Sequence, residues 1–165
     1  LPMLSRGRFL TGAYDAELGV KDVSWLTPSG TEMTPENWND GGARALAVVL
    51  DGRAQSSGIH RRGGEATLML LFNAHHDVVE FTLPEVVGGD AWMRVLDTNL
   101  PDTQDLARFA VGDTYAVTGR SMLMFVLRPT GLDHASETWR SYQHVIQAFE
   151  RAESESVAFG LPHEG

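Results

Sequence analysis

Short apolar segments alternate with clusters of turn-forming residues along most of this 165-residue sequence. The 17 glycines and 7 prolines are spread along the chain, which indicates many turns. The apolar segments that we interpret as β-strands cover residues 22–26, 44–50, 67–73, 78–83, 91–97, 114–117 and 121–127. Regularly spaced short strands of this kind predict a mainly β fold, either a sandwich or a barrel.

Two kinds of strand can be distinguished within this pattern. Val79, Phe81 and Leu83 alternate with polar residues, as expected for a strand that is buried on one face. Residues 68–72 and 122–127 are instead continuously apolar, which predicts strands that are covered on both faces.

Helical patterns occur at two places in the chain. A single helical turn is predicted at 34–37, because Thr34 suits the N-cap and Pro35 the first helical position. A longer helix is predicted over 137–152, with Ser136 as its N-cap. Its apolar residues recur at three- and four-residue steps and share one face: Trp139, Tyr142, Val145, Ile146 and Phe149.

Composition excludes several classes of partner. The net charge is −9 and no run of lysine or arginine occurs, so neither nucleic acid nor an anionic membrane is expected to bind. The longest apolar run, 122–127, is far too short to cross a bilayer. The chain has no cysteine, which excludes disulfides and fits a reducing cytoplasm. We therefore expect a cytoplasmic domain. Its charge is compatible with a neutral ligand such as a sugar.

Two stretches of the sequence carry distinctive motifs. The first is Asp22-Val23-Ser24-Trp25-Leu26-Thr27-Pro28-Ser29-Gly30-Thr31-Glu32-Met33-Thr34, which continues through Trp38 to Leu50-Asp51-Gly52-Arg53-Ala54. The second is Leu70-Leu71-Phe72-Asn73-Ala74-His75-His76, followed by Phe81-Thr82-Leu83-Pro84. In this order they resemble the C-terminal β-domain of isoamylase-type glycogen debranching enzymes, of the α-amylase superfamily. Weaker agreement extends the resemblance over residues 1–129.

The resemblance implies that catalysis belongs to another part of the parent enzyme. That enzyme is expected to hydrolyse α-1,6 branch linkages of glycogen-like glucans in a (β/α)₈ barrel upstream of this domain. A barrel needs roughly 200 residues or more, whereas this chain has 165 residues and shows neither a βα repeat nor the family's catalytic motifs. We predict a non-catalytic accessory domain in glycogen catabolism, without catalytic residues or cofactor, whose partner is its own barrel.

We divide the chain into three parts. Residues 1–19 are interpreted as a connection from the barrel, 20–129 as an antiparallel β-sandwich of seven or eight strands, and 130–165 as a helical extension. The first residue is Leu, which is expected for a piece of a longer protein. The terminal helix has three interpretations, namely packing on the sandwich, docking on the barrel or oligomer contacts, and we favour the first.

Three tryptophans are the candidate contact residues. Exposed aromatic rings can stack on sugars or fill an interface, so Trp25, Trp38 and Trp92 are candidates for contact with the barrel or with glycogen or a malto-oligosaccharide. The simpler interpretation is packing within the domain. For Trp25 and Trp38 we favour packing, with part of each side chain turned toward the barrel.

The segment His75-His76-Asp77 resembles in sequence the His-Asp pair that binds the sugar in amylase-type barrels. Here it follows one predicted strand and precedes another, so we interpret it as a turn and not as a catalytic element. Metal binding is not expected either, because adjacent residues of an extended segment point to opposite faces.

Two other functions are compatible with the sequence. A glucan-binding module would need exposed aromatic residues in a shallow groove, and a stand-alone interaction domain would lack a barrel upstream. A measurement of glucan binding would distinguish a glucan-binding module from an accessory domain. The coding sequence upstream of residue 1 would show whether the chain is a stand-alone domain or follows a barrel.

Overall fold

The computed structural model describes residues 10–54, 65–100, 106–130 and 136–158. Ten strands lie within these ranges: β1 (Tyr14–Asp15), β2 (Val20–Lys21), β3 (Val23–Leu26), β4 (Ala45–Asp51), β5 (Thr67–Asn73), β6 (Val79–Thr82), β7 (Gly89–Asp97), β8 (Arg108–Ala110), β9 (Thr114–Val117) and β10 (Ser121–Pro129). The helices in the same ranges are α1 (Pro35–Trp38) and α2 (Glu137–Ala158).

A six-stranded sheet with the order β3-β4-β5-β10-β7-β8 forms the centre of the fold. The strand β10 lies between β5 and β7, so Val126 pairs with Leu68 on one side and with Met93 on the other. A second sheet contains β6 and β9, and a short hairpin contains β1 and β2. All these pairings are antiparallel, so the prediction of an antiparallel, mainly β fold with one C-terminal helix is confirmed.

The central sheet is buried on both faces because its strands contribute to two apolar clusters. In β5, Met69 and Leu71 point toward the β6–β9 sheet and pack in one cluster with Phe81. Leu68 and Leu70 belong to the cluster on the opposite face, where α2 lies. Full burial of such a side chain contributes about 1.5–3 kcal/mol. The prediction that residues 68–72 form a strand covered on both faces is therefore confirmed.

The helix α2 covers one face of the central sheet. Ser136 caps it as predicted, since its Oγ accepts a hydrogen bond from the N–H of Trp139 at 3.1 Å. Tyr142, Val145 and Ile146 are buried in the cluster beneath the helix. Of the three interpretations of this helix, packing on its own domain is thus confirmed. Neither helix in the described part of the chain has the length and hydropathy that spanning a bilayer requires.

The structure also differs from the sequence prediction. All seven predicted strands are present, but β1, β2 and β8 were not predicted, so the described ranges hold ten strands and not seven or eight. These three strands have only two or three residues each, too few for a hydrophobic period to show. The helix α2 continues beyond residue 152 to Ala158. Residues 1–9 of the predicted connection and residues 131–135 and 159–165 of the predicted extension lie outside the described residues.

Candidate functional site

Trp92 lies in the interior of the domain. Its side chain has no exposed surface, and its indole N–H donates a hydrogen bond to the carbonyl of Pro84 at 2.9 Å. A ring without exposed surface cannot stack on a sugar or contact a barrel in this fold. Its position on β7 removes Trp92 from the candidate contact residues, which leaves Trp25 and Trp38.

Trp25 and Trp38 lie together at the surface. Trp25 is on β3 and Trp38 ends α1, and their rings meet edge to face with centroids 5.6 Å apart. The turn α1 is capped as predicted, because the Thr34 side chain accepts a hydrogen bond from the N–H of Asn37. The exposed fractions are 41% for Trp25 and 52% for Trp38. The two rings thus pack on each other and still offer apolar surface.

The tryptophan pair continues into a half-buried part of the central sheet. Trp25 pairs across the strands with Val48, and the next residue on that face of β4 is Leu46. Leu46 in turn pairs with Phe72 of β5, and both of these side chains are half-buried. We call the set Trp25, Trp38, Leu46 and Phe72 the tryptophan surface. It is an apolar area at the edge of the region that α2 covers.

The segment His75-His76-Asp77 is a bend that connects β5 to β6, as predicted. The expectation that the two histidines point to opposite faces is wrong, because the segment is not extended and the two rings stack with centroids 4.2 Å apart. Nδ1 of His75 accepts a hydrogen bond from the N–H of Asp77 at 3.0 Å. The bend brings the ligand atoms of His75, His76 and Asp77 within 4.8 Å of one another, so it gathers three groups of the kind that ligate metals, one of which already has its Nδ1 engaged.

The buried carboxylates have structural partners. Among the residues that the structure describes, these carboxylates belong to Asp22, Asp51 and Asp97. Asp22 accepts hydrogen bonds from the N–H groups of Thr11 and Gly12, at 2.9 and 2.8 Å. It therefore ties the segment that precedes β1 to the start of β3.

Asp51 and Arg53 form a bidentate ion pair at the end of β4. The guanidinium of Arg53 also donates a hydrogen bond to the carbonyl of Val87 at 2.7 Å. The pair thus fixes the segment before β7, and a carboxylate engaged in this way is not available as a general acid or base.

Asp97 belongs to a polar group with Arg94 and Tyr115. The hydroxyl of Tyr115 donates to the Asp97 carboxylate at 3.1 Å and accepts from the Arg94 guanidinium at 2.7 Å. Burial raises the pKa of Tyr115 above its ordinary value, because the phenolate would be poorly solvated there. The tyrosine therefore stays a neutral donor, which suits a structural link between β7 and β9.

A cleft of about 250 Å³ lies between the β1–β2 hairpin and residues 84–87. We call it the hairpin cleft. Two well-exposed side chains lie on its sides, Tyr14 at 63% and Val87 at 60%. On the hairpin, Tyr14 pairs across the strands with Lys21, whose ammonium forms an ion pair with Glu32. The cleft thus combines apolar surface with charged hydrogen-bonding groups.

The sequence interpretation missed the hairpin cleft because Tyr14 fell within the predicted connection. One signal was available: Asp15 and Gly19 delimit a tight turn. The carboxylate of Asp15 accepts from the N–H groups of Glu17 and Leu18, and Gly19 adopts a φ of +69° that favours glycine. Residues 84–87, which form the opposite wall, are far from the hairpin in the sequence. No local sequence pattern predicts that these two segments lie close together.

A comparison with protein families matches most of the predicted β-domain. The family model described as isoamylase, C-terminal, aligns with residues 22–126. The chain belongs to the isoamylase C-terminal domain family. The family match includes Trp25, Trp38 and Trp92, whereas β1, β2 and α2 lie outside it.

Relatives of this isoamylase C-terminal domain occur in larger proteins. Glycogen operon protein GlgX homologs of Mycobacterium bovis and Mycobacterium tuberculosis are 42% identical over 113 residues, which is 67% of this chain and 15% of each relative. The isoamylase of Pseudomonas amyloderamosa is 27% identical over 114 residues, 63% of this chain and 14% of that protein. The alignments thus involve about a seventh of the length of these curated relatives.

Proposed function

We propose that this chain is a non-catalytic accessory domain of a cytoplasmic glycogen-debranching enzyme, where it covers one side of a catalytic (β/α)₈ barrel. The reaction of the parent enzyme would be hydrolysis of α-1,6-glucosidic branch linkages. The observation that carries this proposal is the isoamylase C-terminal family match over residues 22–126. The engaged carboxylates of Asp22, Asp51 and Asp97 support a structural role for the domain, because none of them is left to act on a sugar.

The relatives support a barrel as the partner. The matched segment is 15% of each mycobacterial GlgX homolog, so most of such a protein lies outside this domain. A barrel of about 250 residues has room there. The names of the relatives, isoamylase and glycogen operon protein, agree with a glucan as the substrate of the parent enzyme.

The tryptophan surface is the face that we assign to the barrel. Trp25 and Trp38 together keep about half of their surface exposed although they are the largest apolar side chains in that region. Covering two such rings removes roughly 200 Å² of apolar surface from water. At about 25 cal/mol per Å², that burial contributes on the order of 5 kcal/mol to the interface.

The test compares the double variant Trp25→Ala and Trp38→Ala in two contexts, the 165-residue chain alone and the full-length protein. In the chain alone the loss of stability is limited to the contact between the rings and their neighbours. In the full-length protein the variant also loses the contribution of the barrel interface to stability. Calorimetry should therefore show a larger fall in the unfolding midpoint than in the chain alone. For an interface contribution on the order of 5 kcal/mol, the fall in the unfolding midpoint of this domain's own transition is roughly 10–20 °C.

The matched control is Tyr14→Ala, which removes an aromatic ring that is exposed but lies outside the tryptophan surface. Its effect should be equal in the two contexts. An equal effect of the double tryptophan variant in both contexts would contradict the assignment of this face to the barrel.

A further inference from the structure

We propose that the hairpin cleft is a surface binding site for an α-glucan chain, with Tyr14 as the ring on which a glucose unit stacks. The cleft volume of about 250 Å³ lies just below the roughly 300–1,000 Å³ of pockets for drug-sized ligands. It therefore suits one or two sugar units of a longer chain. The choice of an α-glucan among sugars rests on the proposed function, whereas the position of the site rests on the geometry alone.

The apolar sides of the cleft match the C–H faces of a sugar ring. Tyr14 and Val87 are among the most exposed large apolar side chains in the described part of the chain, and both line the cleft together with Gly19. A Cβ at Gly19 would lie 3.8 Å from the Tyr14 hydroxyl and 4.0 Å from a methyl group of Val87. These are ordinary van der Waals distances, so both walls of the cleft come within contact range of Gly19, whose φ of +69° favours glycine.

The polar groups of the cleft match sugar hydroxyls. The Lys21 ammonium and the Glu32 carboxylate form a partly exposed ion pair beside Tyr14. Such a pair offers donors and an acceptor at adjacent positions, which is how neighbouring hydroxyl groups of a sugar are arranged. The net charge of −9 opposes an anionic ligand and leaves a neutral polyol favoured.

The wall formed by residues 84–87 is fixed before any ligand binds. The Trp92 indole holds the carbonyl of Pro84 at 2.9 Å, and the Arg53 guanidinium holds the carbonyl of Val87 at 2.7 Å. Arg53 is itself oriented by Asp51. Both ends of the wall are thus anchored, so binding orders few additional groups and loses little entropy.

A second cleft, of about 340 Å³, lies beside α1 but lacks a stacking platform. Its lining is mainly apolar, with Pro28, Met33 and Val79, but it contains no tryptophan, tyrosine or phenylalanine. A sugar ring needs a broad exposed aromatic face to stack on, and His75, the aromatic side chain in this lining, already stacks on His76. The hairpin cleft is therefore the site that we assign to the glucan.

The test is a titration of the 165-residue chain with maltoheptaose by calorimetry, repeated for Tyr14→Ala and for the control Trp38→Ala. We expect weak binding, with a Kd on the order of 1 mM. Loss of the stacking ring in Tyr14→Ala should weaken binding by about 3- to 10-fold. The Trp38→Ala control, whose exposed ring lies outside the cleft, should bind as the unaltered chain does.

A second measurement keeps the proposal testable if Tyr14→Ala folds poorly. In NMR spectra of the unaltered chain, maltoheptaose should shift the amide signals of Tyr14, Lys21 and Val87 more than those of Trp38. No binding, or binding that Trp38→Ala weakens and Tyr14→Ala does not, would overturn the site. Neither result affects the comparison of the tryptophan variants in the two contexts, so failure of the cleft is distinguishable from failure of the accessory role.

Discussion

Asn73 links the end of β5 to the β9–β10 turn through one buried side chain. Its amide nitrogen donates to the carbonyls of Asp77, Val117 and Thr118, at 2.9, 3.0 and 3.2 Å. Its amide oxygen accepts from the N–H of His75 at 2.9 Å. A single residue thus holds the bend between the two sheets and the neighbouring turn in place.

We expect Asn73→Ala to lower the free energy of unfolding by about 3 kcal/mol, because it leaves buried backbone groups without a partner. Urea unfolding followed by circular dichroism measures this change. Asn39→Ala is the matched control, since its side chain donates to the carbonyl of Pro35 at the exposed end of α1. The control should change stability by no more than about 0.5 kcal/mol. A loss of the same size in both variants would contradict the linking role of Asn73.

Residue type alone could not predict which tryptophans are exposed and which are buried. Trp25 and Trp92 both lie on predicted strands beside apolar residues, yet Trp25 is half exposed and Trp92 is fully buried. The edge position of β3 is not the cause, since Val23 and Leu26 on the same strand are buried. Trp92 belongs to the cluster between the central sheet and the β6–β9 sheet, whereas Trp25 belongs to neither buried cluster. Such clusters form from residues far apart in the chain, and local sequence patterns carry no information about them.

Elements with a clear hydrophobic period were predictable. The face of α2 that carries Tyr142, Val145 and Ile146 was read from its three- and four-residue spacing, and these residues are buried. The end of the helix could not be predicted in this way, because the apolar pattern stops at Phe149 whereas the helix continues to Ala158. Helix ends depend on caps and local propensity, which are weaker signals than periodicity.

We expect Val145→Ala to lower the free energy of unfolding by about 2 kcal/mol, because Val145 has no exposed surface and two of its methyl groups leave the core. Gln147→Ala, on the exposed side of the same helix, should change stability by no more than about 0.5 kcal/mol. Urea unfolding of both variants measures the difference. Equal effects would indicate that α2 is not part of the cooperative fold.

At the scale of the whole molecule, the layers were predictable but the clefts between them were not. Continuously apolar strands required cover on both faces, and the structure supplies it with α2 on one side and the β6–β9 sheet on the other. The hairpin cleft joins residues 14–21 to residues 84–87. These two segments come together only through the packing of the complete fold. Sequence patterns could therefore predict that aromatic residues are candidates for ligand contact, but not where in the fold a cleft would form.

We expect the 165-residue chain to release no reducing sugar from glycogen or another branched glucan. The buried carboxylates of the described residues are engaged in structural contacts, and retaining hydrolysis requires two free carboxyl groups about 5 Å apart. A reducing-sugar assay of the purified chain against a buffer control measures this. Turnover that co-purifies with the folded chain would show that the domain carries its own catalytic site.

The central sheet is enclosed between α2 and the β6–β9 sheet, so both of its faces are covered by the domain's own residues. Recombination between genes can transfer a unit of this kind, since its interior does not depend on the neighbour beside which it is placed. Selection in a new host protein would then act first on Trp25 and Trp38, where apolar side chains remain uncovered.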